Sequence, residues 1–116
     1  MKRLALVTAL VTVFAIPAYA HTHLEKSVPA NGSTVATAPA SVDLEFAHPV
    51  RVTALTIQKG EAKGEPLGPL PQDAATKISV PAPKLAPGAY VVNWRAVSSD
   101  NHVMSGKIQF TIAPAK

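Results

Sequence analysis

The chain has 116 residues, a formal charge of +4 and no cysteine, and its length suits one small domain with a single core. The lack of cysteine excludes a disulfide, a thiolate metal ligand and a thiol nucleophile. Because the lysines and arginines are scattered through the sequence, the charge does not favour nucleic-acid binding.

The first twenty residues have the pattern of a secretory signal peptide. Met1-Lys2-Arg3 is a short basic start, the apolar run 4–16 is too short to span a bilayer, and Ala18-Tyr19-Ala20 is a small-x-small cleavage site. We predict that cleavage after Ala20 leaves an exported domain, residues 21–116, of 96 residues (116 − 20). No later segment is apolar enough to cross a membrane, so we expect a soluble monomer without stable membrane insertion.

After the signal, the sequence predicts short strands separated by turns. The predicted strands cover 24–28, 42–46, 52–59, 77–80, 89–97 and 107–112. The predicted connections are 34–41, the loop or weak hairpin 60–71, which is rich in proline and glycine, and the loop 98–106. Because proline breaks helices and strand ladders, we expect no long helix, and we expect His48-Pro49 to end the second strand.

The strongest strand signals lie near the end of the chain. One face of strand 89–97 carries Tyr90, Val92, Trp94 and Ala96, and the last strand turns Ile108, Phe110 and Ile112 inward. About six to seven short strands in this length predict an all-β fold, a single antiparallel β-sandwich or barrel of immunoglobulin-like size. The segment 85–90 is typical of a tyrosine corner, in which the Tyr90 hydroxyl bonds to the backbone upstream.

The residue that cleavage would expose is a histidine. His21 would then carry a free α-amine next to its imidazole, and these two nitrogens can bind one metal ion in a six-membered chelate ring. The reference pKa of an α-amine is about 8, so the amine gives up its proton to a metal near neutral pH more readily than a lysine does.

The segment Asp100-Asn101-His102, between the last two strands, is the second candidate. A carboxylate and an imidazole two residues apart in a turn can point at one ion, and with an amine they suit Cu(II) or Ni(II), and Zn(II) less distinctively. In this folded site His21, Asp100 and His102 hold the ion, and His23 stands nearby without binding it. In the structural alternative, Asp100 satisfies its own turn and His102 is a surface histidine.

The tripeptide His21-Thr22-His23 offers a competing site that needs no fold. A free amine, two deprotonated backbone amides and the imidazole of His23 form a square-planar Cu(II) or Ni(II) site, in which Asp100 and His102 have no part. We favour the folded site because a β-sandwich fixes the turn before the metal arrives.

No chemistry is assigned to the other candidate residues. We expect His48 to be structural or incidental. Met104 is the one methionine left after Met1 is removed, and one methionine with no cysteine does not favour a dedicated Cu(I) site. The serines near His102 share one short loop with it, which does not favour a Ser-His-Asp relay. We therefore expect no enzymatic activity, and oxygen chemistry at a Cu(II) bound by the N-terminal histidine is the remaining alternative.

Several segments of the mature region resemble the CopC family of copper-resistance proteins. They are His21-x-His23-Leu24, Ser27-Val28-Pro29-Ala30-Asn31-Gly32, Leu44-x-Phe46 with Pro49-Val50, and the closing stretch Pro87-Gly88-x-Tyr90-x-Val92-x-Trp94-Arg95-x-Val97-Ser98-x-Asp100-x-His102-x-x-x-Gly106-x-x-x-Phe110. The resemblance covers nearly the whole mature region, and the closing stretch is its most specific part.

This resemblance implies a periplasmic Cu(II)-binding protein with an immunoglobulin-like or cupredoxin-like sandwich or barrel. It implies one copper ion on His21, Asp100 and His102, and an inner-membrane partner of the CopD type. Several relatives also carry a methionine-rich Cu(I) loop, whereas segment 60–71 here has no methionine or histidine. We therefore predict a carrier or sequestering protein for copper resistance or supply. The alternative is an exported immunoglobulin-like interaction module with incidental histidines.

Overall fold

The computed structural model describes residues 23–114. The predictions for a signal peptide at 1–20, for its cleavage site and for His21 lie outside the described residues. The strands are β1 (Leu24–Val28), β2 (Ser33–Val35), β3 (Ser41–Lys59), β4 (Glu65–Pro66), β5 (Ala75–Pro81), β6 (Gly88–Ser98) and β7 (Val103–Ile112). No helix occurs within 23–114, so no segment there forms an apolar helix that could cross a membrane.

Strand β3, which is 19 residues long, organises the sheet. Its first half pairs with β1 on one side and β5 on the other, and its second half pairs with β6 and with the short β4. The strand order is β1-β3-β6-β7-β2. All of these pairs are antiparallel except β2–β7, which is parallel.

One hydrophobic core lies inside this sheet. Its side chains alternate along the strands with the period of two that the sequence pattern predicts. They include Val42, Leu44, Phe46, Val50, Ile78, Val80, Tyr90, Val92, Trp94, Ala96, Ile108, Phe110 and Ile112. Because the strands that pair with either half of β3 contribute to the same cluster, the sheet curls over on itself, and the predicted all-β sandwich or barrel is confirmed.

The predicted tyrosine corner is confirmed at the start of β6. The hydroxyl of Tyr90 donates a hydrogen bond to the carbonyl of Ala86, 2.6 Å away. Its ring stacks on Phe110 of the neighbouring strand, with the ring centroids 5.5 Å apart. The Tyr90–Ala86 hydrogen bond joins the segment before β6 to the strand itself.

The prediction that His48-Pro49 ends the second strand is wrong, because β3 continues through it. Between Glu45 and Val50 the pairing of β3 with β5 shifts register. Proline has no N–H to donate to a ladder, and an irregularity of this kind is where a strand tolerates it. The predicted strands 42–46 and 52–59 are therefore two halves of one interrupted strand.

The structure also corrects two predicted connections. Strand β7 begins at Val103, so the predicted loop 98–106 is a tight turn followed by strand. Part of the predicted connection 34–41 belongs to β2, whose pairing with β7 depends on contacts distant in sequence. The weak hairpin considered for 60–71 is present, since β4 pairs with β3.

Candidate metal centre

The turn between β6 and β7 carries Asp100 and His102. The N–H of Ser98 donates to the carbonyl of His102, and the N–H of Asn101 donates to the carbonyl of Ser98, both at 3.0 Å. Asn101 has a φ of 65°, a left-handed conformation that asparagine tolerates better than most residues. The chain therefore reverses between the two candidate ligands.

The side chain of Ser98 holds this turn in place. Its hydroxyl donates a short hydrogen bond to Oδ1 of Asp100. The hydroxyl oxygen also accepts from the N–H of His102 at 3.2 Å. One half-buried serine thus contacts both candidate ligands, a positioning role that the sequence did not indicate.

The carboxylate and the imidazole lie close enough to share one ion. Oδ2 of Asp100 is 3.6 Å from Nδ1 of His102, and their side chains are 58% and 55% exposed. Two atoms that each bind a metal at about 2.0–2.2 Å can lie up to about 4.4 Å apart. The pair therefore fits two coordination positions of a single ion that enters from solvent.

Strand β3 holds both parts of the candidate site. Within the interruption, the N–H of Ala47 donates to the carbonyl of His23 at 3.2 Å. After it, Val50 pairs with Ser98, where the turn begins. These two positions on β3 are about 10 Å apart in an extended strand. The entry to β1 and the β6–β7 turn consequently meet at the same end of the sheet.

The structure brings His23 and His102 to one open groove of about 700 Å³. Leu24, Trp94 and Met104 also line this groove. The groove is therefore lined by two imidazoles, a thioether and the side chains of Leu24 and Trp94. We refer to it as the histidine groove.

The remaining sequence-predicted residues lie elsewhere. His48 is exposed on β3 and does not line the histidine groove. His21 precedes His23 by two positions and lies outside the described residues. Within 23–114, no three side chains of the His, Cys, Asp and Glu types are grouped so that they could hold a metal ion. This part of the chain therefore contributes Asp100 and His102 to the predicted set.

For the predicted Cu(II) site, we expect Ser98→Ala to weaken binding by about tenfold. Groups that orient metal ligands typically contribute one to two orders of magnitude in affinity, and Ser98 orients both Asp100 and the backbone of His102. Competition against a Cu(II) chelator measures the change, with Ser99→Ala as the control on an exposed neighbour. Equal affinities for the two variants would contradict the positioning role.

Residues 24–113 match the family model described as the CopC domain. The chain is 32% identical over 123 residues to copper resistance protein C of Escherichia coli, covering 97% of each chain. It is 32% identical over 102 residues to the copper transport protein CutJ of Bacillus subtilis, covering 84% of this chain and 19% of that protein.

Solved structures share the fold. CopC from Methylosinus trichosporium OB3b superposes with a TM-score of 0.72 at 31% identity, over 83% of this chain and 97% of that one. PcoC, a methionine-rich copper resistance protein from Escherichia coli, superposes with a TM-score of 0.59 at 31% identity, over 80% of this chain and 99% of that one. The likeness thus extends to sequence and fold together.

Proposed function

The chain belongs to the CopC family, and we propose that it is an exported, periplasmic protein that binds one Cu(II) ion as a carrier or sequestering protein. The proposed ligands are the α-amine and imidazole of His21, with Asp100 and His102. Amine, imidazole and carboxylate donors suit the tetragonal geometry that Cu(II) prefers. The observation that carries the proposal is the β6–β7 turn, in which the carboxylate and imidazole lie 3.6 Å apart.

The anchoring of β1 supports this folded site over the His21-Thr22-His23 chelate. In the tripeptide site, the deprotonated amide and imidazole of His23 bind the ion. The carbonyl of His23, however, already accepts a hydrogen bond from Ala47, which holds this residue against β3. A segment that is held beside the turn at His23 loses less conformational freedom when it and the turn bind one ion. We therefore propose that His23 does not bind Cu(II).

The named relatives support a copper-related role. The similar proteins include copper resistance proteins and a copper transport protein. In CutJ the matching region covers 19% of a longer protein, so a domain of this kind also occurs joined to a larger copper transport chain. We propose that the present domain works with a separate inner-membrane protein of the CopD type and carries copper to or from it.

The proposed ligand set suits a carrier and not a catalyst. Copper oxygenases with an N-terminal histidine complete their site with a second imidazole and keep positions open for oxygen. Here we assign the carboxylate of Asp100 to the ion, which favours stable Cu(II). Copper-dependent oxygen consumption in the presence of an added reductant would contradict this assignment.

The test is Cu(II) competition against a chromophoric chelator, using mature protein that begins at His21. We expect the double change Asp100→Ala with His102→Ala to weaken binding at least tenfold, about 1.4 kcal/mol. His23→Ala, the matched control on the same groove, should change the affinity less than threefold.

Other results would point to different conclusions. If His23→Ala weakens binding and the double change does not, the tripeptide holds the metal and the assignment of Asp100 and His102 is wrong. If the mature protein does not bind Cu(II), an exported interaction module with incidental histidines becomes the better account.

A further inference from the structure

We propose that the histidine groove binds Cu(I), with His23, His102 and Met104 as its ligands. The proposal deepens the copper function proposed above and rests on it, since His102 serves both oxidation states. It assigns separate roles to Asp100, which binds only Cu(II), and to Met104, which binds only Cu(I).

The placement of Met104 is the first observation. Along β7, exposed Val103 and Ser105 alternate with partly buried Met104, so the methionine lies on the inner face of the strand. It packs against the hydrophobic core and lines the histidine groove with both histidines. Its partner across the hairpin is Ala96, which is fully buried.

The chemistry of the lining is the second observation. Thioethers are soft ligands that select Cu(I), and imidazole binds copper in either state. His23, His102 and Met104 are neutral when they bind, and they lie beside the apolar side chains of Leu24 and Trp94. Asp100 instead supplies the hard, negatively charged donor that Cu(II) prefers.

The simplest competing account is that Met104 only packs against the core. Methionine fills irregular gaps in many cores, and its position opposite Ala96 satisfies that role. Met104→Leu separates the two accounts, because leucine has a similar volume and cannot bind the metal.

The experiment is anaerobic competition for Cu(I) against a chromophoric Cu(I) chelator, with the mature protein that begins at His21. We expect Met104→Leu and His23→Ala each to weaken Cu(I) binding at least tenfold and to change Cu(II) affinity less than threefold. Asp100→Asn should weaken Cu(II) binding at least tenfold and change Cu(I) affinity less than threefold. X-ray absorption of the Cu(I) form should show a sulfur neighbour that Met104→Leu removes. Denaturant unfolding of the metal-free variants shows whether packing is preserved.

Three outcomes would overturn the proposal. They are absence of Cu(I) binding by the wild-type protein, unchanged Cu(I) affinity in Met104→Leu, and an equal loss of Cu(I) and Cu(II) affinity in that variant, which would indicate a packing role. The proposed Cu(II) function fails separately: if the wild-type protein binds Cu(I) through Met104 but does not bind Cu(II), the Cu(I) site stands and the Cu(II) assignment falls.

Discussion

A Gly-Ser-Pro extension placed directly before His21 should weaken Cu(II) binding at least a hundredfold, about 2.8 kcal/mol. The extension converts the proposed α-amine ligand into a peptide nitrogen and so destroys the amine–imidazole chelate. It leaves Asp100, His102 and the β6–β7 turn unchanged. Because one change removes the chelate, we expect a larger effect than from removing any single side chain.

Proline is included in the extension for a specific reason. A single added glycine would give the chain a new amine followed by a peptide nitrogen and the imidazole of His21, which together form another Cu(II) chelate. Proline has no N–H to deprotonate, so it interrupts any such chelate from the new terminus. The extended protein therefore tests the loss of the His21 amine alone.

Calorimetry or chelator competition on the extended and mature proteins measures this effect. His23→Ala in the mature protein is the comparison, because it leaves the amine intact and removes the ligand of the competing tripeptide site. Equal Cu(II) affinity with and without the extension would show that the amine is not a ligand. The proposed Cu(II) ligands would then have to be replaced by donors from residues 23–114.

Gly106→Ala should lower the free energy of unfolding by about 3 kcal/mol, near the upper end of the usual range for overpacking. A methyl group at this position would lie 2.7 Å from Cε2, Cζ2 and Nε1 of Trp94. That ring is buried and makes an edge-to-face contact with Phe46, with the ring centroids 5.3 Å apart. Either the indole ring or β7 must therefore shift to accept the methyl group.

Gly64→Ala is the matched control for this effect. Its added methyl group would make ordinary contacts of 3.7 Å with Gln58 and Thr56. We expect it to leave stability unchanged or to raise it slightly, since alanine reduces the freedom of the unfolded chain. Urea unfolding followed by the fluorescence of the one tryptophan measures both variants. Similar unfolding midpoints for the two alanine variants would show that the close approach of Gly106 to Trp94 is not needed.

Much of the fold could be predicted because its signals are local. The alternation along 89–97 identified the buried face of β6, including Trp94, and the tyrosine corner needed only Tyr90 and the turn before it. In a strand, the side-chain period of two follows from backbone geometry, whatever the partner strand is. The composition of the β6–β7 turn likewise showed that a carboxylate and an imidazole lie two residues apart.

The errors concern pairing between distant segments. Strand β2 has no strong pattern of its own and is ordered by β7, where the N–H of Gln109 also donates to the side chain of Asn31 at 2.9 Å. Pro49 has the signature of a strand end, and β3 nevertheless continues because partners on both sides support it before and after the interruption. Local propensity cannot show which strands will pair, so these elements could not be predicted from it.

The sequence alone therefore supplies the all-β class, the inward faces of β6 and β7, and the donor types at Asp100 and His102. Only the tertiary structure shows that His23 and Met104 share a groove with His102 and that Ser98 holds the turn. The physical reason is the register of β3. Ala47 of β3 hydrogen-bonds to His23, just before β1, and Val50 of β3 pairs with Ser98 at the end of β6. Hydrogen bonds between strands far apart in sequence decide which donors meet.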